Sequence, residues 1–276
     1  MAVATPTFTG FRPEAIQFLV DLTENNDRAW FQPRKGEYET LLKEPLEALC
    51  VALGERFAAR GIPMRADPAK SPFRIYRDVR FAKDKSPYKT NIGASFPWTG
   101  EDAGDIDGRS HTANVHSSGG YFHLSPGEIY VGGGSWHPEK PWIDAFRQRL
   151  VAGPAEFHAL IDAPDFQSVF GGLSRDGHVL QRVPSGFAAD HPEAEILKLK
   201  DVIFGRRLSD VDAQSPDLPD TLADTFGAAV PLLRARGMTE VGIGVDTENV
   251  SGALSVYEKC GFIPINRTTT YRRPLV

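Results

Sequence analysis

Residues 119–138, which read GGYFHLSPGEIYVGGGSWHP, decide the fold class. Two runs in which apolar and polar residues alternate, 121–125 and 128–133, lie on either side of a Pro-Gly pair at 126–127. A Pro-Gly pair between two such runs predicts a β-hairpin. Three consecutive glycines occur at 132–134. Because glycine weakens a strand interior, they predict a bulge or a close approach of the backbone instead of a regular strand.

Strands and helices are predicted on both sides of this hairpin. Upstream, residues 73–76 and 91–98 alternate like strands, and apolar residues at helical spacing dominate the chain before residue 61. Downstream, helices return after Pro138 and end with a long helix over 215–236. Helices flanking an antiparallel meander, with a strand-helix-strand tail at the C-terminus, predict the α+β fold class.

The predicted helix boundaries carry residues typical of helix ends. Prolines occupy the first turns of four predicted helices, where a missing N–H is tolerated: Pro13, Pro45, Pro154 and Pro164. The polar residues 25–27 separate the first two helices and are suited to cap the second. Gly61 predicts the end of the helix that Pro45 opens.

The composition is that of a globular protein. Of the 276 residues, 41% are apolar and 24% are charged, which excludes a disordered or collagen-like chain. No apolar run approaches the roughly 18 residues of a membrane span, and the N-terminus has no secretory pattern. The two cysteines, Cys50 and Cys260, cannot form a disulfide framework. We therefore expect a cytoplasmic protein without a membrane partner.

Positive charge is concentrated in one segment of an acidic chain. The net charge of −5 disfavours a nucleic-acid partner, yet residues 74–89 contain six basic and two acidic residues. Guanidinium and ammonium groups bind phosphate and carboxylate oxygens, and aromatic rings among them can stack on a ligand. The segment predicts a site for a small anionic ligand with these candidate residues: Arg74, Tyr76, Arg77, Arg80, Lys85, Tyr88 and Lys89. The alternative is an exposed edge strand whose charges prevent edge-to-edge pairing.

The histidines do not show the spacing of a metal site. His111, His116, His123 and His137 are close in sequence, but no pair has the short separation typical of zinc ligands. We therefore predict no metal ion. His123 alternates with apolar residues on the predicted hairpin and is a candidate general base, which Glu128 across the hairpin would orient. The alternative is a half-buried histidine that is hydrogen-bonded to the backbone.

Common catalytic signatures are missing from the sequence. It contains no GxSxG nucleophile motif, no GxGxxG motif after a strand and no GxxxxGKS/T phosphate loop. Serine-nucleophile, dinucleotide and P-loop chemistry are therefore disfavoured. The sequence leaves open whether the protein is an enzyme.

Three long segments resemble one family, catalogued as domain of unknown function number 2461. They are FRIYRDVRFAKDKSPYKTNIGASF at 73–96, the hairpin segment quoted above, and GFAADHPEAEILKLKD at 186–201. The resemblance extends from about Phe11 to about Ala229 and implies a single α+β domain. It implies no activity and no catalytic residue, because the family has no established function.

The C-terminal segment resembles a second family. Residues 232–262, LLRARGMTEVGIGVDTENVSGALSVYEKCGF, look like the end of a GCN5-related N-acetyltransferase. This resemblance implies acetyl-CoA as the cofactor, with Asn249 close to it and Tyr257 as the acid that protonates the leaving thiolate. The segment departs from that family upstream. Residues 216–229, PDLPDTLADTFGAA, stand where a glycine-rich pyrophosphate loop is expected.

The two resemblances predict two parts of the chain, an α+β domain over 1–230 and a partial acetyltransferase-like tail over 231–276. Our first interpretation is a protein of uncharacterised activity that binds a small anionic ligand at the basic segment. One alternative is an acetyl-CoA-dependent N-acetyltransferase, which is the acyltransferase candidate if the protein is an enzyme. The other is a protein-interaction module that uses the tail, for a partner that the sequence does not identify.

Overall fold

Four antiparallel strands form a single sheet in the structure. The computed structural model describes residues 7–80, 82–99 and 119–237. Neighbouring strands in the sheet follow one another in chain order. Their bounds are β1 Ile92–Pro97, β2 Gly119–Ser125, β3 Glu128–Ser135 and β4 Val202–Leu208. Together with the helices described next, this antiparallel meander confirms the predicted α+β class.

The helices lie before the sheet, between β3 and β4, and after β4. Their bounds are α1 Pro13–Glu24, α2 Arg28–Phe31, α3 Lys35–Tyr38, α4 Glu44–Arg60, α5 Lys140–Ala152, α6 Pro154–Ile161, α7 Pro164–Phe170, α8 Ala194–Leu197, α9 Asp210–Gln214 and α10 Leu218–Gly237. The predicted boundaries are confirmed at several ends. Asp27 accepts a hydrogen bond from the Trp30 N–H at the start of α2. Gly61 ends α4 with a left-handed φ of 63°.

The predicted hairpin is confirmed by β2 and β3. Ser125 pairs with Glu128 across the turn, and Gly127 has a φ of 75°. A Pro-Gly turn requires this left-handed value at its second central residue, which glycine adopts without steric cost.

The glycines at 132–134 lie inside β3, so the predicted interruption of the strand is wrong, whereas the predicted close approach of the backbone is confirmed. A Cβ at Gly132 would lie 2.4 Å from the Phe204 carbonyl oxygen. The three glycines pair with β2 on one side and with β4 on the other. The ring of Tyr130 explains two glycines at this point of the sheet. A Cβ at Gly132 would lie 2.7 Å from the Tyr130 hydroxyl, and a Cβ at its β4 partner Gly205 would lie 2.0 Å from it. Glycine therefore makes room for an aromatic ring lying over the strands.

Residues 73–76 do not form a regular strand, although their alternation predicts one. The Phe73 N–H donates to the Gly93 carbonyl at 2.9 Å, so the segment runs beside the free edge of β1. Tyr76 forms an isolated antiparallel bridge with Tyr88. The basic segment is therefore a bent loop that folds back on itself and contacts the sheet edge.

The core lies between one face of the sheet and the helices α4 and α10. Phe226 of α10 packs edge-on against Phe57 of α4 at 5.8 Å and against Phe96 of β1 at 5.6 Å, measured between ring centroids. A Cβ at Gly120 of β2 would lie 2.5 Å from the Phe226 ring. The glycine thus lets this ring sit directly on the sheet. The opposite face of the sheet carries the polar residues that form the candidate site.

The connection between β3 and β4 is held by a buried arginine. Arg147 of α5 is 6% exposed. Its Nε donates to the Leu197 carbonyl at 2.9 Å and its Nη2 donates to the Leu199 carbonyl at 3.0 Å. These bonds attach α5 to the segment that leads into β4.

The chain divides into two compact units, Met1–Thr239 and Glu240–Val276, and the described residues belong to the first. Helix α10 continues past the predicted boundary at 230 to Gly237. The predicted loop at 100–118 and the predicted tail elements after 238 lie outside the described residues. Among the described helices, none combines the length and the apolar character needed to cross a bilayer.

Candidate functional site

The outer face of β2 carries a chain of hydrogen-bonded side chains. Tyr121, His123 and Ser125 alternate along the strand and therefore point to the same face. The Tyr121 hydroxyl lies 2.9 Å from His123 Nδ1, and His123 Nε2 lies 3.0 Å from Ser125 Oγ. Asn91, just before β1, places its Nδ2 3.3 Å from the same His123 Nδ1. Ser125 Oγ in turn donates to the Glu128 carbonyl at 3.2 Å.

These contacts define the protonation of His123. The Asn91 amide nitrogen can only donate, so His123 Nδ1 acts as the acceptor and Nε2 carries the proton. Burial lowers the pKa of His123, and the nearby Glu128 carboxylate opposes this shift. Burial also raises the pKa of Tyr121 to about 12, so its hydroxyl stays protonated. Both ring nitrogens of His123 are therefore engaged by neighbouring side chains, and burial disfavours its charged form.

The partner predicted to orient His123 is a different residue. In the described part of the chain the Glu128 carboxylate makes its ion pair with Arg207, at 3.3 Å. Ser125 takes the orienting position instead, and the hydrogen bond from Ser125 goes to the backbone carbonyl of Glu128. The sequence contains a signal for this contact. Ser125 is two residues from His123 on the same strand, and alternate strand residues point to the same face.

Two of the six basic residues of the segment are neutralised by ion pairs within the segment itself, and a third is hydrogen-bonded there. Arg77 forms an ion pair with Asp84, and Arg80 forms one with Asp78 at 2.7 Å. The hydrogen bond from Arg80 lowers the pKa of Asp78 to about 2. Lys85 Nζ donates to the Val79 carbonyl at 2.9 Å. These contacts support, for this part of the segment, the alternative to a ligand site: an exposed segment at the sheet edge whose charges face solvent.

Lys89 differs from the other basic residues of the segment that lack a carboxylate within ion-pair distance among the described residues. Those residues, Arg74, Lys83 and Lys85, are exposed. Lys89 is half-buried, and its Nζ lies 5.2 Å from the centroid of the Phe73 ring. Burial, followed by repulsion from Arg74, lowers the pKa of Lys89. The Phe73 ring in turn lies 6.1 Å from that of Tyr121, which connects Lys89 to the chain on β2.

A polar cavity of about 430 Å³ opens beside Lys89. Its lining consists of Thr23, Asn26, Arg77, Asp84, Ser86, Tyr88, Lys89, Thr90 and Asn91. Asn91 belongs to this lining and also contacts His123, so the cavity and the chain on β2 adjoin. We call this arrangement of Lys89, Asn91, Tyr121 and His123 beside the cavity the Lys89 site.

The two tyrosines predicted as ligand residues have different places. Tyr88 is 1% exposed, and its ring stacks on Phe31 at a centroid distance of 4.0 Å. It therefore belongs to the core, and it is also one of the residues that line the cavity. Tyr76 is 46% exposed and packs against Tyr88 at 5.5 Å. Asn249 and Tyr257, which the acetyltransferase resemblance implies, lie outside the described residues.

The lowered pKa of His123 predicts a pH effect on stability. Because the folded protein binds this proton less tightly than the unfolded chain, the contribution of His123 is present above its ordinary pKa of 6.5 and is lost below it. We expect His123→Gln, which cannot titrate, to lose less stability than the wild type between pH 8 and pH 5. Urea unfolding at several pH values measures this difference.

The control for this experiment is a histidine with the opposite shift. A hydrogen bond to Glu193 raises the pKa of His158, so its contribution is present at low pH and is lost as the pH rises. His158→Gln is therefore expected to steepen the loss of stability on acidification. Parallel behaviour of the two variants would contradict the assignment for His123.

Comparisons with known proteins identify one family. The profile of a family described as conserved hypothetical protein (DUF2461) matches residues 14–234. No curated protein matches the chain, and no solved structure matches it. None of the comparisons supports the acetyltransferase resemblance of the C-terminal segment.

Proposed function

The chain belongs to the DUF2461 family, whose description assigns no activity, and we propose that it binds a small anionic ligand at the Lys89 site. The ligand would be a phosphate or carboxylate compound of a size that the cavity of about 430 Å³ accommodates. The proposal concerns binding and assigns no reaction.

The observation that supports this proposal most directly is the environment of Lys89. Its ammonium group is half-buried, and no carboxylate of the described residues pairs with it. A partly desolvated cation without an opposite charge is energetically unfavourable. An anion bound in the cavity would supply the missing opposite charge and offset both the cost of desolvation and the repulsion from Arg74. Arg80 and Lys85, by contrast, already have hydrogen-bond partners in the segment, so a bound anion would stabilise them less.

Neighbouring groups favour a small ligand over an extended polyanion. Arg77 also lines the cavity, and its ion pair with Asp84 leaves further guanidinium N–H groups for a ligand. Asp84 lines the same cavity and would repel a second negative charge nearby. This mixed lining fits one or two anionic oxygens rather than a long run of phosphates.

In this proposal His123 positions its neighbours and is not a base. Its Nδ1 accepts from Tyr121 and from Asn91, and its Nε2–H points to Ser125. A general base needs a lone pair directed at the substrate, and both nitrogens are occupied here. His123 instead fixes the orientation of the Asn91 amide, which lines the cavity.

The test is a thermal-shift panel with inorganic phosphate, adenosine monophosphate and succinate, each compared with sodium chloride at the same ionic strength. We expect at least one of the three anions to raise the melting temperature of the wild type. Lys89→Met keeps the apolar stem over Phe73 and removes the charge. Since a charge-assisted hydrogen bond contributes about 1.5–3 kcal/mol, this variant is expected to bind roughly ten- to a hundredfold more weakly.

Lys83→Met is the matched control. Lys83 is an exposed lysine of the same segment, so its replacement removes one positive charge without touching the cavity. Its response to the anion should equal that of the wild type. The proposal fails if no anion stabilises the wild type beyond chloride, or if the two lysine variants respond alike.

A further inference from the structure

Two histidines and a buried aspartate converge at the sheet end where β3 leaves and β4 enters. His137 follows β3, Asp201 directly precedes β4, and His178 lies in the segment between them. Each residue offers one potential ligand atom, and these three atoms all lie within 4.8 Å of one another. None of the three residues belongs to the Lys89 site.

The Asp201 carboxylate is the centre of this cluster. Its side chain is fully buried. Oδ1 accepts the backbone N–H of His137 at 2.6 Å, and Oδ2 accepts the backbone N–H of His178 at 2.7 Å. A carboxylate oxygen has two lone-pair sites, so each oxygen retains one after these bonds. The same two residues also direct their imidazoles toward the carboxylate.

The two distances between a histidine nitrogen and the carboxylate are close to those between ligands of a transition-metal ion. His137 Nδ1 lies 3.3 Å from Asp201 Oδ1, and His178 Nδ1 lies 3.4 Å from Asp201 Oδ2. Ligand atoms about 2.0–2.1 Å from a tetrahedral zinc ion are separated by roughly 3.3 Å. The same distances are long for direct hydrogen bonds between a ring nitrogen and a carboxylate. These two histidine–carboxylate distances match neighbouring ligands of one ion, and all three ligand atoms lie within 4.8 Å of one another.

The backbone is shaped to bring these groups together. His137 is the one non-glycine residue of the described chain with a positive φ, at 48°. Such a conformation is unfavourable for a residue with a side chain and persists where the surroundings impose it. A Cβ at Gly177 would lie 2.9 Å from the Asp201 carboxylate. Glycine at this position thus allows the backbone at His178 to lie against Asp201.

We propose that His137, His178 and Asp201 bind a divalent transition-metal ion, with Zn²⁺ as the representative. Two imidazoles and one carboxylate form a donor set that zinc accepts, and water or a substrate group completes the coordination in sites with three protein ligands. The histidine side chains are 42% and 60% exposed, so an ion can enter from solvent. This proposal differs from the expectation of no metal site that followed from the sequence, and it does not depend on the anion proposal.

Titration of the metal-free, full-length protein with Zn²⁺ tests the proposal. We expect one ion to bind per chain in isothermal titration calorimetry, and the melting temperature to rise with Zn²⁺ concentration. Co²⁺ provides a second readout, because the Trp136 ring lies 4.6 Å from the ring of His137. Binding of this paramagnetic ion should quench the fluorescence of Trp136. The quenching should disappear in Trp136→Phe.

His178→Ala is the informative variant. Its side chain is 60% exposed, so the folded state should survive its removal, which circular dichroism checks. Loss of a direct ligand is expected to weaken Zn²⁺ binding by more than about tenfold, the smallest effect typical of losing a second-shell partner.

His158→Ala is the matched control. This histidine contacts Asp162 through Nδ1 and Glu193 through Nε2, so its two carboxylates lie on opposite sides of the ring and cannot share one ion with it. Zn²⁺ binding by this variant should equal that of the wild type. The proposal is wrong if the wild type shows no stoichiometric binding, if His178→Ala binds as the wild type does, or if both alanine variants lose affinity equally.

Discussion

Replacing Tyr88 with alanine is expected to lower the free energy of unfolding by about 3–5 kcal/mol, the range typical of removing a buried aromatic ring. The ring is 1% exposed and stacks on Phe31 at 4.0 Å. Its removal leaves a cavity lined by rings of the N-terminal helices, and close-packed surroundings fill such a cavity only in part. Urea unfolding followed by tryptophan fluorescence measures the change.

Tyr76→Ala is the matched comparison, because Tyr76 is the bridge partner of Tyr88 and is 46% exposed. Its loss should change stability by less than about 1 kcal/mol. Comparing the two variants distinguishes a role in core packing from a role in ligand binding for each tyrosine. If both variants remained stable and both lost the response to anions, Tyr88 would be a ligand residue and its placement in the core would be incorrect.

Arg147→Met is expected to lower the free energy of unfolding by about 2–6 kcal/mol. Methionine preserves most of the apolar stem but leaves the carbonyls of Leu197 and Leu199 without their donor. Both leucines are buried, and each unsatisfied buried polar group costs about 1–3 kcal/mol. Hydrogen exchange should also rise in the segment that leads into β4, because Arg147 attaches this segment to α5.

Arg175→Met is the control for this variant. Arg175 forms an exposed ion pair with Glu195 at 2.9 Å, and exposed pairs contribute about 0–1 kcal/mol. If Arg147→Met lost as little stability as Arg175→Met, the Leu197 and Leu199 carbonyls would have to find other donors when Arg147 is removed.

Local signals along the chain determined the elements of the fold. Pro126-Gly127 between two alternating runs specified the hairpin, since only a tight turn with a left-handed second residue fits that pair. Asp27 and Gly61 marked helix ends because their capping interactions depend on a few adjacent residues. Such features require no knowledge of distant parts of the chain, and the α+β class followed from them.

The role of the basic segment depended on contacts that the sequence does not show. The charge count of residues 74–89 could not distinguish Arg80, which pairs with Asp78, from Lys89, which has no acidic partner in the part of the chain that the structure describes. The difference arises because Lys89 lies against Phe73 at the edge of β1, where carboxylates of its own segment do not reach. The burial of Arg147 is a similar case. The nearby apolar residues Phe146 and Leu150 do not predict that the arginine is buried with them.

By itself, then, the sequence determined the longer helices, the hairpin and its turn, and a concentration of positive charge near residue 80. Only the tertiary structure decided which charges remain unpaired and which distant side chains meet. Asp201 is separated from His137 by 64 residues and from His178 by 23, so no spacing rule for metal ligands applies to them. The sheet brings the end of β3 beside the start of β4, and pairing between strands, unlike a turn or a cap, joins residues at any separation along the chain.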